Sequence, residues 1–427
     1  MPILENFHHF GGTHWETAAL KNTLAYSGVT SPHTGKPLSE AVCLGISGGI
    51  AAGYSFCPSI PSWESKLGPP PSIVPADASE EEKYIRQFRC GSGVSIVSKH
   101  HDFSTGSDRY DIPLKRLGCK TTIKESTGPK AAHQHLLDAL AAGRPAFLWT
   151  AAMKLTWLGW AGTCGMYSTL CFGIDEGKCE AYMSDRGATA VTLTIDELMF
   201  LRNRVCSFKN RLLTFEPPRK LDEKTLKAAV NAGLAACAGD FKKPKLGTFN
   251  LPGLLEWSKV IANPKNKKGW PTVYPGGRLY LPLRDAFGSI ETAGTGGGLM
   301  RSMYADFLDE AAIILNRPAL HAAAKTYRAL ALQWTALAEA CLPDAIKPFR
   351  QTKALLRKRD AIFAEKGAKG EKDMARVAVE LSAIETQMRE ALPLNPNDVK
   401  AMLEGLSSQI AALHQAETEA SAALEVN

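Results

Sequence analysis

The chain has 427 residues, 45% hydrophobic and 22% charged, which is the make-up of a folded protein of two to three domains rather than a disordered or fibrous one. Its formal net charge of +7 is modest for this length and does not imply nucleic-acid binding. Ten cysteines are scattered singly with no Cys-x-x-Cys pair, which leaves a zinc ribbon or dithiol motif unsupported and fits a reduced, cytoplasmic protein.

The first ten residues, MPILENFHHF, have neither the basic region nor the apolar core of a secretory signal. His8, His9 and His14 cluster there, but adjacent side chains on extended backbone point opposite ways, so no metal site is expected. Gly11 and Gly12 then break the chain. Thr13 and Glu16 have capping-box spacing, and Ala19, Leu20 and Leu24 recur at helical spacing. The N–H groups at the head of such a helix favour an anion or a thiolate, and cysteine-nucleophile enzymes place their thiol there. Here that place holds His14 and Trp15.

The run GISGGIAAG, with Gly48 and Gly49 at its centre, lacks both the Lys-Ser/Thr of a phosphate loop and the dinucleotide fingerprint, so no cofactor is expected. Close backbone packing explains such glycines. Pro69, Pro70, Pro71 and Pro75 mark a surface loop, followed by a short amphipathic helix over Glu80 to Cys90. A helix end and a strand are predicted within Ile112 to Lys124, a helix over His133 to Ala142, and a strand over Pro145 to Thr150. The uncharged run Leu155 to Ile174 approaches the length of a membrane helix, but its four glycines and its end at Asp175 read as a turn and a buried strand. Strands follow at Tyr167 to Gly173 and Glu180 to Ser184, another element starts at Val191 to Thr194, and a helix runs from Ile195 to Arg204.

Pro217-Pro218 marks a first boundary, beyond which the chain reads as helical: Glu223 to Cys237, Leu254 to Ile261, Met300 to Asn316 and Leu320 to Leu342. Asn231 to Asp240 is expected to loosen, ahead of a basic loop at Lys242, Lys243 and Lys245. The glycine run TAGTGGGLMR opens one of these helices, and Arg301 makes it a candidate site for a carboxylate or a phosphopantetheine phosphate. A second boundary lies near Pro343. Met374, Val377, Leu381, Ile384 and Met388, then Val399, Met402, Leu406, Ile410 and Leu413, predict an antiparallel helical hairpin, packed on the body or on a second copy of the chain.

Four stretches in order resemble the butirosin biosynthesis protein H family: THWETAALKNTLAYSG, LSEAVCLGISGGIAAGY, CFGIDEGKCEAYMSDRG and IETAGTGGGLMRSMYADFLDEAA. The likeness spans most of residues 5–342. It implies a cysteine-protease-like (papain-like) α+β domain over 1–216 and a helical domain of unknown function over 217–342; the periodicity of the last two runs adds a helical hairpin extension over 343–427. It also implies transfer of an acyl or aminoacyl group from a carrier-protein thioester or peptide; the modest charge and the make-up of Leu155 to Ile174 argue separately against a nucleic-acid or membrane role. Three positions carry the family's chemistry. The family Cys is Trp15 here, and its His, six residues before Gly173, is Tyr167. The orienting acid is kept as Asp185, followed by Arg186.

On this reading His14, Trp15 and Glu16, with Gly48, Gly49 and Arg301, line a binding pocket, and Tyr167 and Asp185 face each other across neighbouring strands. Cys164 and Cys57 are candidates for a relocated nucleophile, each needing a base or a helix N-terminus to form a thiolate. Two function classes remain open: an acyltransferase-family protein retooled around another residue, and a non-catalytic binding or scaffold subunit of a biosynthetic complex.

Overall fold

The computed structural model describes residues 2–56, 92–99, 108–151, 166–203, 208–244 and 247–424. The proline-rich loop, the helix expected over Glu80 to Cys90 and the turn expected within Leu155 to Gly165 lie outside the described residues. The fold mixes helix and sheet in an α+β arrangement. Helix α1 (Trp15–Tyr26) starts where His14, in extended backbone, accepts a hydrogen bond from the Glu16 N–H. Helix α2 (Glu40–Ile46) is capped by Ser39 and closed by Gly48 and Gly49, both at positive φ. Strand β1 (Ile50–Phe56) then runs antiparallel to β2 (Val94–Lys99).

Next come α3 (Asp108–Arg116), β3 (Lys120–Lys124), α4 (Pro129–Ala141), β4 (Ala146–Ala151), β5 (Met166–Asp175), β6 (Glu180–Ser184), β7 (Val191–Thr194), α5 (Ile195–Asn203) and β8 (Leu212–Glu216). Among the described residues, six of these strands form one antiparallel sheet in the order β3-β8-β4-β5-β6-β7. Every residue of β4 is buried, as a central strand's apolar run requires. Helix α1 lies against β5, so the head of α1 meets the start of that strand.

The rest is helical: α6 (Glu223–Lys242), α7 (Asn250–Val260), α8 (Tyr280–Glu291), α9 (Arg301–Leu315), α10 (Ala319–Cys341), α11 (Lys347–Lys366), α12 (Glu371–Glu390) and α13 (Pro396–Ala423). Helix α6 continues through Asn231 to Asp240 instead of loosening there, because Leu234, Cys237, Ala238 and Phe241 are all buried. Tertiary burial outweighs the low helix propensity of Gly233 and Gly239.

Residues 40–56 and 92–99 do not stay with the sheet. Helix α2 packs on α9 and α6, β1 lies on α7, and β2 lies on α8. A side chain at Gly45 would strike the Phe307 ring, its Cβ 2.1 Å away, and one at Gly233 would strike the Gly45 carbonyl at 2.2 Å. Gly233 thus lets α6 touch the backbone of α2, and Gly45 makes room for the Phe307 ring of α9.

The two C-terminal runs, predicted to pair with each other, are both helical but take different partners. Helix α12 packs on α11, while α13 lies across α7 and α10. Val377, Leu381 and Met388 are buried on the first, and Leu406, Ile410 and Leu413 on the second. A strip of apolar residues at steps of three and four says that a helix is covered, not by what.

Candidate functional site

The site forms where the head of α1 meets β5 and the chain just after β6. The Glu40 carboxylate fills the anion position at the helix entry. It accepts from the Thr13 N–H at 2.9 Å, the His14 N–H at 2.9 Å and the Thr17 hydroxyl at 2.7 Å. Gly12 must be glycine here, since a Cβ would stand 2.3 Å from that of Ala18.

Trp15, on the first turn, stacks with two rings. The His14 imidazole lies 3.9 Å away and the Tyr167 phenol 5.2 Å away, centroid to centroid. Tyr167 donates to the Asp185 carboxylate, at 2.9 Å from Oδ1 and 2.7 Å from Oδ2. Asp185 also accepts from the Arg186 N–H at 2.6 Å. The second glycine run closes on the same indole: a Cβ at Gly294, where φ is +69°, would lie 3.2 Å from the Trp15 ring and from the Thr13 carbonyl oxygen. The structure therefore brings together His14, Trp15, Tyr167 and Asp185.

Glu16, one residue further, turns inward and is 1% exposed. Lys99 at the end of β2 donates to its Oε2 at 3.0 Å, and Arg109 of α3 pairs with Oε1. The Ser168 hydroxyl stands 3.5 Å from Oε1 and 2.9 Å from the Tyr110 hydroxyl. Nothing in the sequence pattern singles out Lys99, Arg109, Tyr110 or Ser168. They come from three elements, and no local motif ties them to Glu16.

Burial decides the electrostatics. The His14 imidazole falls to about 3, first because it is desolvated, then because Lys99, Arg109 and Arg186 oppose a further positive charge, although Glu16 pulls the other way. It stays neutral at pH 7, free to accept at Nδ1 as the helix cap. The Tyr167 phenol is pushed well above its ordinary value by burial and by Asp185. Near neutrality the phenol keeps its proton, and the imidazole is a weak base whose Nδ1 is already taken by the Glu16 N–H. Burial likewise raises the thiols of Cys119, Cys171, Cys237 and Cys341 to about 12, and Cys43 further still. Cys179 is exposed, in the turn between β5 and β6. Cys164 and Cys57 lie outside the described residues.

The remaining expected pocket residues are elsewhere. Gly48 and Gly49 end α2, and Gly49 packs against α6 and α9, where an added Cβ would lie 2.8 Å from both the Cys237 sulfur and the Tyr304 ring. Arg301 is fully buried and its guanidinium is taken: Nε donates to Glu417 at 2.8 Å, and Nη1 donates to the carbonyls of Ala51 and Leu299. Trp334 donates to the same Glu417 oxygen at 2.7 Å. An interior ion pair, rather than an open anion site, explains why an arginine follows the glycine run.

The Asp185-Arg186 corner is held from behind by the end of α11. Arg186 pairs with Asp360 at 2.7 Å and lies over the Phe363 ring at 4.6 Å. The Ala188 N–H donates to the Ala364 carbonyl, and the Thr189 hydroxyl to that of Lys366. A side chain at Gly187 would press on Gly367 at 3.0 Å. One dipeptide thus faces Tyr167 with its acid and α11 with its base.

A family model described as Domain of unknown function (DUF4872) matches residues 197–362. The match runs from within α5 to within α11, and leaves out Trp15, Tyr167 and Asp185. No curated protein matches the chain. Among the described residues no group of three or more His, Cys, Asp or Glu could hold a metal, and no helix is long and apolar enough to cross a membrane.

Proposed function

We propose that the protein is a butirosin H-like, papain-like member of the acyltransferase class whose thiol and imidazole have been replaced. On this reading the site at the head of α1 binds an acyl or peptidyl group, delivered by a carrier protein or as a peptide, without transferring it. The observation that carries the reading is the stack of Trp15 on Tyr167, with Tyr167 bound to both oxygens of Asp185. A nucleophile belongs on the first turn of that helix and a base on the facing strand. An indole and a phenol stand there instead. The neutral His14 and the raised thiols of Cys171 and Cys237 supply no substitute.

The test is incubation of the full chain with acetyl and octanoyl thioesters of N-acetylcysteamine. Intact mass reads covalent transfer, and calorimetry reads binding. The expected result is heat of binding, weakened by Trp15→Ala, with no added mass. A stable acyl adduct on Cys164 or Cys57 would replace this reading with catalysis by a relocated thiol.

A further inference from the structure

We propose that Glu40 is a specificity residue of the site: it admits an uncharged acyl or peptidyl group to the head of α1 and turns away one that ends in a carboxylate. The inference rests on reading the head of α1 as a binding site, and it names the class of ligand that fits there. Its basis is that the protein fills the anion position with a carboxylate of its own. The bonds that Glu40 accepts come from neutral donors, the Thr13 and His14 N–H groups and the Thr17 hydroxyl. Among the described residues no lysine, arginine or histidine forms an ion pair with it. A helix N-terminus carries about half a positive charge, so a whole carboxylate leaves the entry negative.

The carboxylate sits beside the indole. It accepts from the backbone of His14, whose ring stacks on Trp15 at 3.9 Å. It is also held in place. Ser39, which caps α2 one residue earlier, donates to Glu310 at 2.6 Å. Gly12 leaves the space, since a Cβ there would stand 3.0 Å from Glu40 Oε2. A ligand carboxylate at this entry would meet Glu40 with few donors to offset the repulsion. The Glu16 N–H is used by His14 Nδ1. The cations around the entry are engaged: Lys99 and Arg109 with Glu16, Arg186 with Asp360, and Lys21 with the Gly11 carbonyl at 2.7 Å. Like charges placed side by side oppose binding. An uncharged chain meets no such repulsion and can pack on the indole.

Calorimetry on the full chain tests this with N-acetylcysteamine thioesters of octanoate, of its ω-carboxylate and of its ω-carboxamide. The carboxylate and the carboxamide match in size and polarity, so their ratio isolates charge. The wild type is expected to bind the carboxamide about tenfold more tightly than the carboxylate. Glu40→Gln keeps the shape of the side chain and removes its charge, and should narrow that gap to about twofold. Equal affinity of the wild type for the carboxamide and the carboxylate overturns the proposal, whether or not the variant folds. A folded Glu40→Gln that keeps the full gap overturns it as well, because the discriminating charge then lies elsewhere. A wild type that binds none of the three thioesters loses the binding reading and this proposal together. One that binds octanoyl but treats the other two alike loses this proposal alone.

Discussion

Trp15 lies on the ring of Tyr167 with 29° between the planes, one residue on the first turn of a helix and the other near the start of a strand. The contact joins the two positions at which the family resemblance expects a thiol and an imidazole. If that correspondence is sound, Trp15→Cys with Tyr167→His places a thiol at the helix N-terminus beside an imidazole oriented by Asp185. Such a setting lowers a thiol's pKa from about 8.5 toward neutrality. Limiting iodoacetamide at pH 7, followed by peptide mapping, should label position 15 about tenfold faster than an exposed thiol such as Cys179. Labelling no faster than Cys179 would sink the correspondence.

Tyr167→Phe removes the donor that both Asp185 oxygens use. A buried acceptor that loses its partner costs about 1–3 kcal/mol. Urea unfolding at pH 7 should show a loss in that range with an unchanged slope. A loss below about 0.5 kcal/mol, the usual bound for a surface change, would mean that the remaining donors to Asp185, the Arg186 N–H among them, satisfy the carboxylate without Tyr167.

His14 makes stability depend on pH in a stated direction. Its folded value of about 3 lies below the ordinary value of 6.5. The unfolded chain therefore binds more protons between those limits, and stability falls as pH drops through them. The contribution is fully present above about 6.5 and is lost at up to about 1.4 kcal/mol per pH unit toward 3. Asn is among the best helix caps and does not titrate. His14→Asn should therefore flatten the slope between about pH 6.5 and 4.5 relative to wild type. Parallel stability profiles for the two proteins would contradict a buried, neutral His14.

Arg301 and Glu417 are both fully buried. Removing one partner strands a charge, at a cost of about 3–5 kcal/mol, whereas an apolar pair of similar size is often tolerated. Arg301→Met alone should lower the urea midpoint sharply, and adding Glu417→Leu should recover most of the loss. Additive losses in the double variant would show that the guanidinium's bonds to Ala51 and Leu299, rather than the ion pair, hold the site.

Strands are legible in the sequence where turns bracket a short apolar run: Glu180–Ser184 falls where the pattern places it. The start of α1 is legible from its glycines, but its cap is His14 rather than the expected Thr13, and Glu16 turns to Lys99 and Arg109 instead of closing a capping box. Partners across the chain are not. Lys99 and Arg109 meet Glu16 over 83 and 93 residues, and Arg301 meets Glu417 over 116. Periodicity reports that a face is covered and a glycine run reports a close approach, but neither names the neighbour. That is why the pattern around Arg301 suggests a ligand, and why the apolar strips of α12 and α13 suggest each other.

The hold of α11 on the Asp185-Arg186 corner has a consequence for synthesis. A growing chain that has just released β7 from the ribosome lacks Asp360 and Phe363, and Arg186 has neither its carboxylate nor its aromatic cover. Helix α2 and the β1–β2 pair are in the same position, because their seats on α6 to α9 emerge after them. The early segments must wait with apolar surface exposed, a state that favours holding chaperones and slow, late closure. Cutting the gene near residue 217 would produce two fragments, each missing walls that the other supplies.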